Sequence, residues 1–383
     1  MSKGLVLVTG GAGFIGSHLV DALLAEGYRV RALDNLLEQA HPTGAARFLS
    51  KEAELLRGDL RDREVVDRAL DGVELVFHTG GIVGNGQSMH DARRYLDINA
   101  VGTATLMEAL IARRGQVRRL VHSSSMVVYG DGTYRCPRHG IGAAAVRPLE
   151  RLRRQQWEPV CDRCGEELSP EPTAEEHALR PTSPYGISKR DQEELVTVLG
   201  RAHGVPALSL RYLNVYGSRQ AMSNPYTGVA ALLINQLLNG RRPLIFEDAL
   251  QRRDFVHVSD VVRANLAAAE APEAALYGTY NVGTGRSVTL LELGRQIAAG
   301  LGASPELIAP SGAYRAGDIR HCFADVSAAR DRLGWTARLT LADGLGELLT
   351  WAASERPADV VPAATEELSR RNLIIWPEQE RRP

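Results

Sequence analysis

The amino-acid sequence predicts an α/β protein: a doubly wound parallel sheet, a smaller C-terminal portion, and an insertion that carries cysteines. Three observations predict it. Short apolar or strand-like runs alternate with helical patterns through the first half: Leu5 to Val8, Arg29 to Leu33, Glu54 to Asp59, Glu74 to His78, Arg119 to Ser123 and Ala207 to Arg211. Such alternation implies parallel strands with helices on both faces. A glycine-punctuated turn follows the first run directly. From Asp131 to about Pro181 the rhythm breaks, in a stretch rich in Arg, Pro and Glu that holds three of the four cysteines.

The opening unit, Gly4 to Leu36, reads strand, turn, helix, strand. Leu5-Val6-Leu7-Val8 is continuously apolar, as in a strand buried on both faces. Gly10, Gly13 and Gly16 follow at three-residue spacing, and Phe14, Leu19, Val20, Leu23 and Leu24 then recur at helical spacing. Glycines so placed permit a tight turn, close approach of backbone to a pyrophosphate, and close packing of helix on strand, with the phosphates at the helix N-terminus. Asp34 ends the second strand. There a carboxylate accepts hydrogen bonds from an adenosine ribose and repels a 2′-phosphate. Together these features predict a Rossmann unit that takes NAD in preference to NADP.

The composition narrows the function further. A chain of 383 residues can bury a large core and suggests two domains, or one large domain with additions. A formal net charge of −1 gives no electrostatic footprint for nucleic acid or an anionic membrane. Neither is expected as a partner. No apolar run approaches the roughly 20 residues that span a bilayer, and the opening lacks the pattern of a signal peptide. Four cysteines in so long a chain do not make a disulfide scaffold, which suits a reducing cytoplasm.

Residues 1–210 are assigned to the dinucleotide-binding domain, with 131–180 as an insertion within it. Residues 211–354 are assigned to a mainly substrate-binding domain interleaved with the first, because the alternation loosens after Tyr212 into pieces punctuated by Gly and Pro. Residues 355–383 form a Pro- and charge-rich tail whose one apolar patch is Leu373 to Trp376. That tail is expected to be partly mobile. The stretch from about Asp91 to Arg114, with Leu96, Val101, Leu106 and Leu110 among charges, reads as one amphipathic helix over the sheet.

Tyr185 and Lys189 are spaced i, i+4 on a helix that Ser183 can cap and Pro184 can open. An ammonium on the same face lowers a phenol's pKa, so Tyr185 is a candidate general base. Ser123-Ser124-Ser125 ends a predicted strand, where hydroxyls point into the ligand crevice of an open α/β sheet.

With these motifs in place the chain resembles the extended short-chain dehydrogenase/reductase family, within it the nucleotide-sugar 4-epimerases. TGGAGFIGSHL, GDLRD, SSSMVVYG, YGISK, LRYLNVYG, RDFVHVSDVV, YNVGTG and GDIR occur in that family's order over about residues 4 to 350. The resemblance implies that Gly10, Gly13, Phe14, Ile15 and Gly16 hold the NAD pyrophosphate and that Asp34 and Asn35 hold its ribose. It puts Asp59 and Leu60 at the adenine, Thr79, Gly80 and Gly81 along the cofactor, and Asn99 behind the nicotinamide. Ser123 and Tyr212 join the cofactor site. Ser125 matches the catalytic hydroxyl, Tyr185 the base, and Lys189 the residue that holds ribose and tunes the tyrosine. Asn214, Arg253 and Arg320 match substrate residues, the arginines suiting a diphosphate because their forks match phosphate oxygens. A homodimer through the helix of Tyr185 and the helix after Asn99 is also implied.

Where related dehydratases and decarboxylases carry an acid after the catalytic hydroxyl, this chain has Met126 and Val127. Neither can move a proton, which favours oxidation and re-reduction at C4 of the sugar over elimination of water. The insertion adds Cys136, His139, Cys161 and Cys164, two knuckles separated by 21 residues. This spacing predicts a closed, structural zinc ribbon. Its position after Gly130 would let it order a loop over the sugar. Two other readings share these residues: an NAD(P)-dependent 4-ketosugar reductase, and a zinc-ribbon adapter on a Rossmann scaffold.

Overall fold

The structure is a computed structural model that describes residues 3–377. Its centre is β1 (Leu5–Thr9), paired in parallel with β2 (Arg29–Asp34) on one side and, across it, with a strand from further along the chain. β3 (Glu54–Arg57) extends the first side; β4 (Val73–His78) and β5 (Arg119–Ser125) extend the other, followed by Ala207–Tyr212 and Thr279–Val282. All seven strands are parallel. The chain builds outward from β1 in one direction, then crosses over to β4 and builds in the other. The turn after β1 therefore lies at the point where strand order reverses, the place where open α/β sheets bind ligands.

Alternate residues of β1 enter opposite layers, as the period of a strand requires. Val6 and Val8 pack with Leu19, Val20 and Leu23 of α1 (Phe14–Ala25) and with Val261 of the helix Val258–Ala269. Leu5 and Leu7 pack with Val65 and Val66, Leu106 and Leu110, and Val196 on the helices of the other face. Both faces are thus buried, which is why the first run is apolar at every position.

The amphipathic stretch after Asp91 is not one regular helix. A π-helical segment, Leu96–Val101, separates the turn Ala92–Tyr95 from the helix Gly102–Ala112, and it includes Asn99. Such bulges frequently occur at functional sites. A second lobe packs Val229–Leu238, Leu290–Gly300 and Leu341–Glu355 around Leu233, Leu293 and Leu348. Among the described residues no helix is long and apolar enough to cross a membrane.

The insertion forms an antiparallel three-stranded sheet of Thr133–Cys136, Gly140–Ala143 and Ser169–Glu171. Its two ends meet: Arg180 N donates to Tyr129 O at 3.3 Å. Gly130 has a φ of +70°, and a Cβ there would lie 2.2 Å from Arg180 O. The tail differs from the mobile segment expected from its composition. Through Pro377 it is part of the fold, with a helix Val361–Arg370 that buries Leu368. Ile374 is also buried, and Ile375 exchanges backbone hydrogen bonds with Tyr314 at 2.8 and 2.9 Å. The apolar spacing within Val361–Arg370 gives the tail a face to bury that its charge content conceals. Residues 378–383 of the tail lie outside the described residues.

Candidate active site and metal centre

The glycine turn is built tightly against the sheet. Gly10 adopts φ +67°, and a Cβ on it would approach Gly80 Cα to 2.7 Å; one on Gly16 would approach Gly10 O to 2.1 Å. Larger side chains cannot be accommodated there without moving backbone. α1 starts at Gly13 with no side-chain cap, leaving its first N–H groups for an anion. Asp34 is buried at the end of β2, where Oδ2 accepts from Ala12 N at 3.0 Å and Oδ1 from Leu36 N at 2.9 Å. A carboxylate has about four acceptor positions, so capacity remains for ribose hydroxyls.

A cavity of about 460 Å³ opens over this turn. Gly10, Gly13, Phe14, Ile15, Gly16, Asp34, Asn35, Asp59, Leu60, Thr79, Gly80 and Gly81 all line it. Asn35 Nδ2 donates to Asp59 Oδ2 at 3.0 Å. The Arg61 guanidinium, with Asn35 assisting, holds the Asp59 carboxyl down at about 2. Asn99 is buried beneath the next loop, accepting from Ile82 N at 2.8 Å and donating to Ile82 O and to Ser188 Oγ. It fixes the backbone that follows Gly81. Apolar in part, with uncapped N–H groups and a buried carboxylate, the cavity fits a dinucleotide.

Ser125 ends β5, and Tyr185 and Lys189 project from the helix Pro184–His203, whose first turn Ser183 caps by accepting from Gly186 N at 3.1 Å. Burial pushes the Tyr185 phenol up to about 12, against the pull of its hydrogen bond with Ser125. Burial likewise pushes Lys189 down to about 7, with Glu193 acting against it. The expectation that Lys189 lowers the phenol is not met in this state. Its Nζ donates instead to Ser123 O at 2.5 Å, and desolvation dominates both groups. Val127 packs with Ile82, Tyr95 and Tyr185, so the residue beside the phenol is apolar.

The substrate residues divide. Arg253 Nη1 donates to Arg252 O and Arg320 O, and Nη2 to Ile319 O at 2.6 Å. Among the described residues no carboxylate pairs with it, so its charge is not neutralised by an ion pair. Asn214 Oδ1 is buried without a hydrogen-bond partner, an acceptor still to be satisfied. Arg320 corrects the expectation of a diphosphate contact. Its side chain is fully buried, Nε and Nη2 donate to Glu158, Nη1 to Glu247 and Asp248, and Nη2 also to Asp248. All of its N–H groups can be accounted for inside the protein. Tyr212 is likewise turned into the core, its hydroxyl shared between Ser123 Oγ at 2.9 Å and Asn265.

Sequence reasoning missed the residue that braces this end of the sheet. Glu193 lies one turn beyond Lys189, is buried, accepts from Ser124 Oγ at 2.7 Å and pairs with Arg211. The i, i+4 spacing from Lys189 was the available signal; the partners on two other strands were not visible. Arg47, Phe48 and Glu355, which also line the cavity, were missed too.

In the insertion, the donor atoms of Cys136, His139, Cys161 and Cys164 lie within 4.8 Å of one another. Cys136 Sγ is 3.5 Å from His139 Nδ1 and 3.6 Å from Cys164 Sγ, and His139 Nδ1 is 3.3 Å from Cys161 Sγ. With Zn–S near about 2.3 Å, a tetrahedron has edges of roughly 3.7 Å, so the donor set and its spacing fit zinc. None of the four cysteines in the chain is in a disulfide.

The family described as "NAD dependent epimerase/dehydratase family" matches residues 6–150 and 163–283, the gap falling inside the insertion. A dTDP-L-rhamnose 4-epimerase of Burkholderia thailandensis is 35% identical over 354 residues, 91% of this chain and 95% of that protein. A UDP-glucose 4-epimerase of Thermotoga maritima, solved with UDP-glucose, is 30% identical with a TM-score of 0.75, covering 92% of this chain and 99% of that one. The UDP-glucose 4-epimerase of Thermus thermophilus, solved with NAD, is 31% identical with a TM-score of 0.71, covering 91% and 98%. With matched segments on both sides of the insertion and relatives similar over nearly their whole length, the chain belongs to the NAD-dependent epimerase/dehydratase family.

Proposed function

We propose that the protein is an NAD-dependent 4-epimerase of a nucleotide-diphosphate sugar, an isomerase that retains its cofactor. The single observation that carries the reading is the pairing of Tyr185 with Ser125 beside an apolar Val127. Given a hydride acceptor, a base and a hydroxyl are the only protein groups that oxidation and re-reduction of a carbinol need, whereas elimination of water needs a further acid/base that this position lacks. Bound at the glycine turn, NAD would supply a reversible hydride acceptor. Tyr185 takes the proton of the C4 hydroxyl, and Ser125 hydrogen-bonds the same oxygen as it becomes a carbonyl. Lys189, already at the Ser123 carbonyl, would hold the ribose of a bound cofactor, and brings positive charge toward the phenol once it is protonated. Tyr185 then returns the proton after the sugar has turned its opposite face. Arg253 and Asn214 hold the nucleotide-diphosphate end, Arg253 through its unpaired charge.

The named relatives support two substrate classes, a dTDP-6-deoxyhexose such as dTDP-L-rhamnose and a UDP-hexose. Cys136, His139, Cys161 and Cys164 hold one zinc in a closed, structural site, since four protein ligands leave no open position. We further read the enzyme as a cytoplasmic homodimer. The deciding experiment incubates the purified protein, with no added cofactor, with UDP-, dTDP- and GDP-sugars and follows C4 epimers by NMR. Epimer formation supports the reading. Turnover only with added NAD(P)H and a 4-keto sugar, with release of the oxidised cofactor, would replace it with a 4-ketosugar reductase.

A further inference from the structure

The loop after β2 lines the same cavity as Gly10, Gly13 and Asp34, through Leu37, His41, Arg47 and Phe48 among others. Its near end is held to the dinucleotide-binding side. His41 N donates to Leu37 O at 2.9 Å, His41 Nε2 lies 3.7 Å from Asp34 Oδ1, and Gln39 Nε2 donates to Val83 O at 2.9 Å. Its far end crosses to the second lobe. Arg47 makes a two-point fork to Glu355, Nη1 to Oε2 at 2.6 Å and Nη2 to Oε1 at 3.0 Å. Glu355 is the last residue of the helix Leu341–Glu355 and lines the cavity itself. One turn earlier on that helix, Trp351 meets Phe48 edge to face, with ring centroids 5.2 Å apart at 71°. The Arg47 guanidinium also lies 4.9 Å over the Phe48 ring.

We propose that Arg47 and Phe48 on the loop, with Glu355 and Trp351 on the helix, form a latch across the cavity that retains the bound dinucleotide through turnover. The proposal rests on the NAD reading above. Arg47, Phe48 and Glu355 line the cavity and Trp351 backs Phe48; the two pairs belong to segments of different lobes, so their contacts oppose escape of an occupant. Retention suits an enzyme that returns each hydride to the sugar it came from; an enzyme that exchanges its cofactor would have to open the latch at every turnover. The fork is the stronger geometry for an arginine and a carboxylate, and the aromatic contact beside it adds direction. Arg47 is nevertheless 61% exposed, so salt screens its share.

The test loads wild-type protein, Arg47→Ala, Glu355→Ala and the charge-swapped double variant Arg47→Glu/Glu355→Arg with NAD. The rate of loss is read by exchange against an excess of labelled NAD at low and high salt. Melting of each cofactor-free protein reports on folding. The latch predicts loss about three- to tenfold faster in either single variant, the size expected for a well-formed exposed pair and its neighbour. It also predicts that high salt narrows the difference and that the swap restores slow loss. Single variants that fold normally and release NAD at the wild-type rate would overturn it, as would a folded swap that releases as fast as the singles. A wild-type protein with no affinity for NAD at all would overturn the cofactor reading itself, and is told apart by the wild type alone.

Discussion

At the scale of single residues, the proposed chemistry depends on two titrating side chains that burial moves in opposite directions. Tyr185 is pushed up to about 12 and Lys189 down to about 7. Tyr185→Phe removes the base and little of the binding surface. It should lower kcat by about three orders of magnitude or more while NAD stays bound, as steady-state kinetics and bound-cofactor analysis would show. Lys189 makes a pH prediction. Its folded value lies below that of the unfolded chain, 10.5, so between about 7 and 10 the unfolded state binds the proton that the folded state has shed. Stability of the cofactor-free protein should therefore rise with pH through that window, and Lys189→Met should remove that rise in a melting series. The residues proposed for the chemistry could be picked out because their spacing is local: Gly10 to Gly16, Asp34 at a strand end, and Tyr185 with Lys189. Arg320 was not. Its partners Glu158, Glu247 and Asp248 come from segments 162, 73 and 72 positions away, and no periodicity signals an ion cluster assembled from such distances.

At the scale of elements, the insertion shows how a segment with little core of its own is held. Ile141, Val146 and Leu149 are exposed; Leu152 and Trp157 are buried, but against Tyr314 and Ile375 from outside the insertion. Glu158 then pairs with Arg320 and with His321 Nε2 at 2.9 Å, and Arg147 pairs with Glu247 at 2.8 Å. Docking of this kind fastens residues 147–158 to the rest of the protein, while the four donors meet beside the exposed hairpin of Thr133–Cys136 and Gly140–Ala143. A short antiparallel sheet with so few buried apolar residues would gain much of its order from a bound metal. Elemental analysis should find about one zinc per chain, and Cys161→Ser should lose it while the main sheet stays folded and NAD stays bound. A metal-free protein whose insertion resists proteolysis would reject the zinc assignment. The cysteine spacing pointed to the four-residue cluster from sequence, whereas the docking surface was hidden, because Trp157 looks stranded among charges until the tail is folded beside it.

At the scale of the whole molecule, the question is what covers the outer surface of the helix that carries Tyr185 and Lys189 and of its neighbour. The helices Gly102–Ala112 and Pro184–His203 pack on each other over one face of the sheet, and their inward positions are used up by Leu106, Leu110 and Val196. Other apolar positions remain outside: Ile187 and Val198 on the longer helix, and Val101 just before the shorter, with Val198 63% and Val101 48% exposed. Single exposed apolar residues are ordinary, but these lie on two adjacent helices of one layer, where a second copy related by a two-fold axis would bury the same residues from both sides. A dimer formed this way would pack four helices together and press on the outer side of the helix that holds Tyr185. Light scattering at micromolar concentration should therefore give twice the chain mass. Val101→Glu together with Val198→Glu should shift it to the monomer, because two buried like charges per copy would face one another across the axis. A wild-type monomer under those conditions, or a double variant that remains dimeric, would show that these helices face solvent and that any pairing uses another surface.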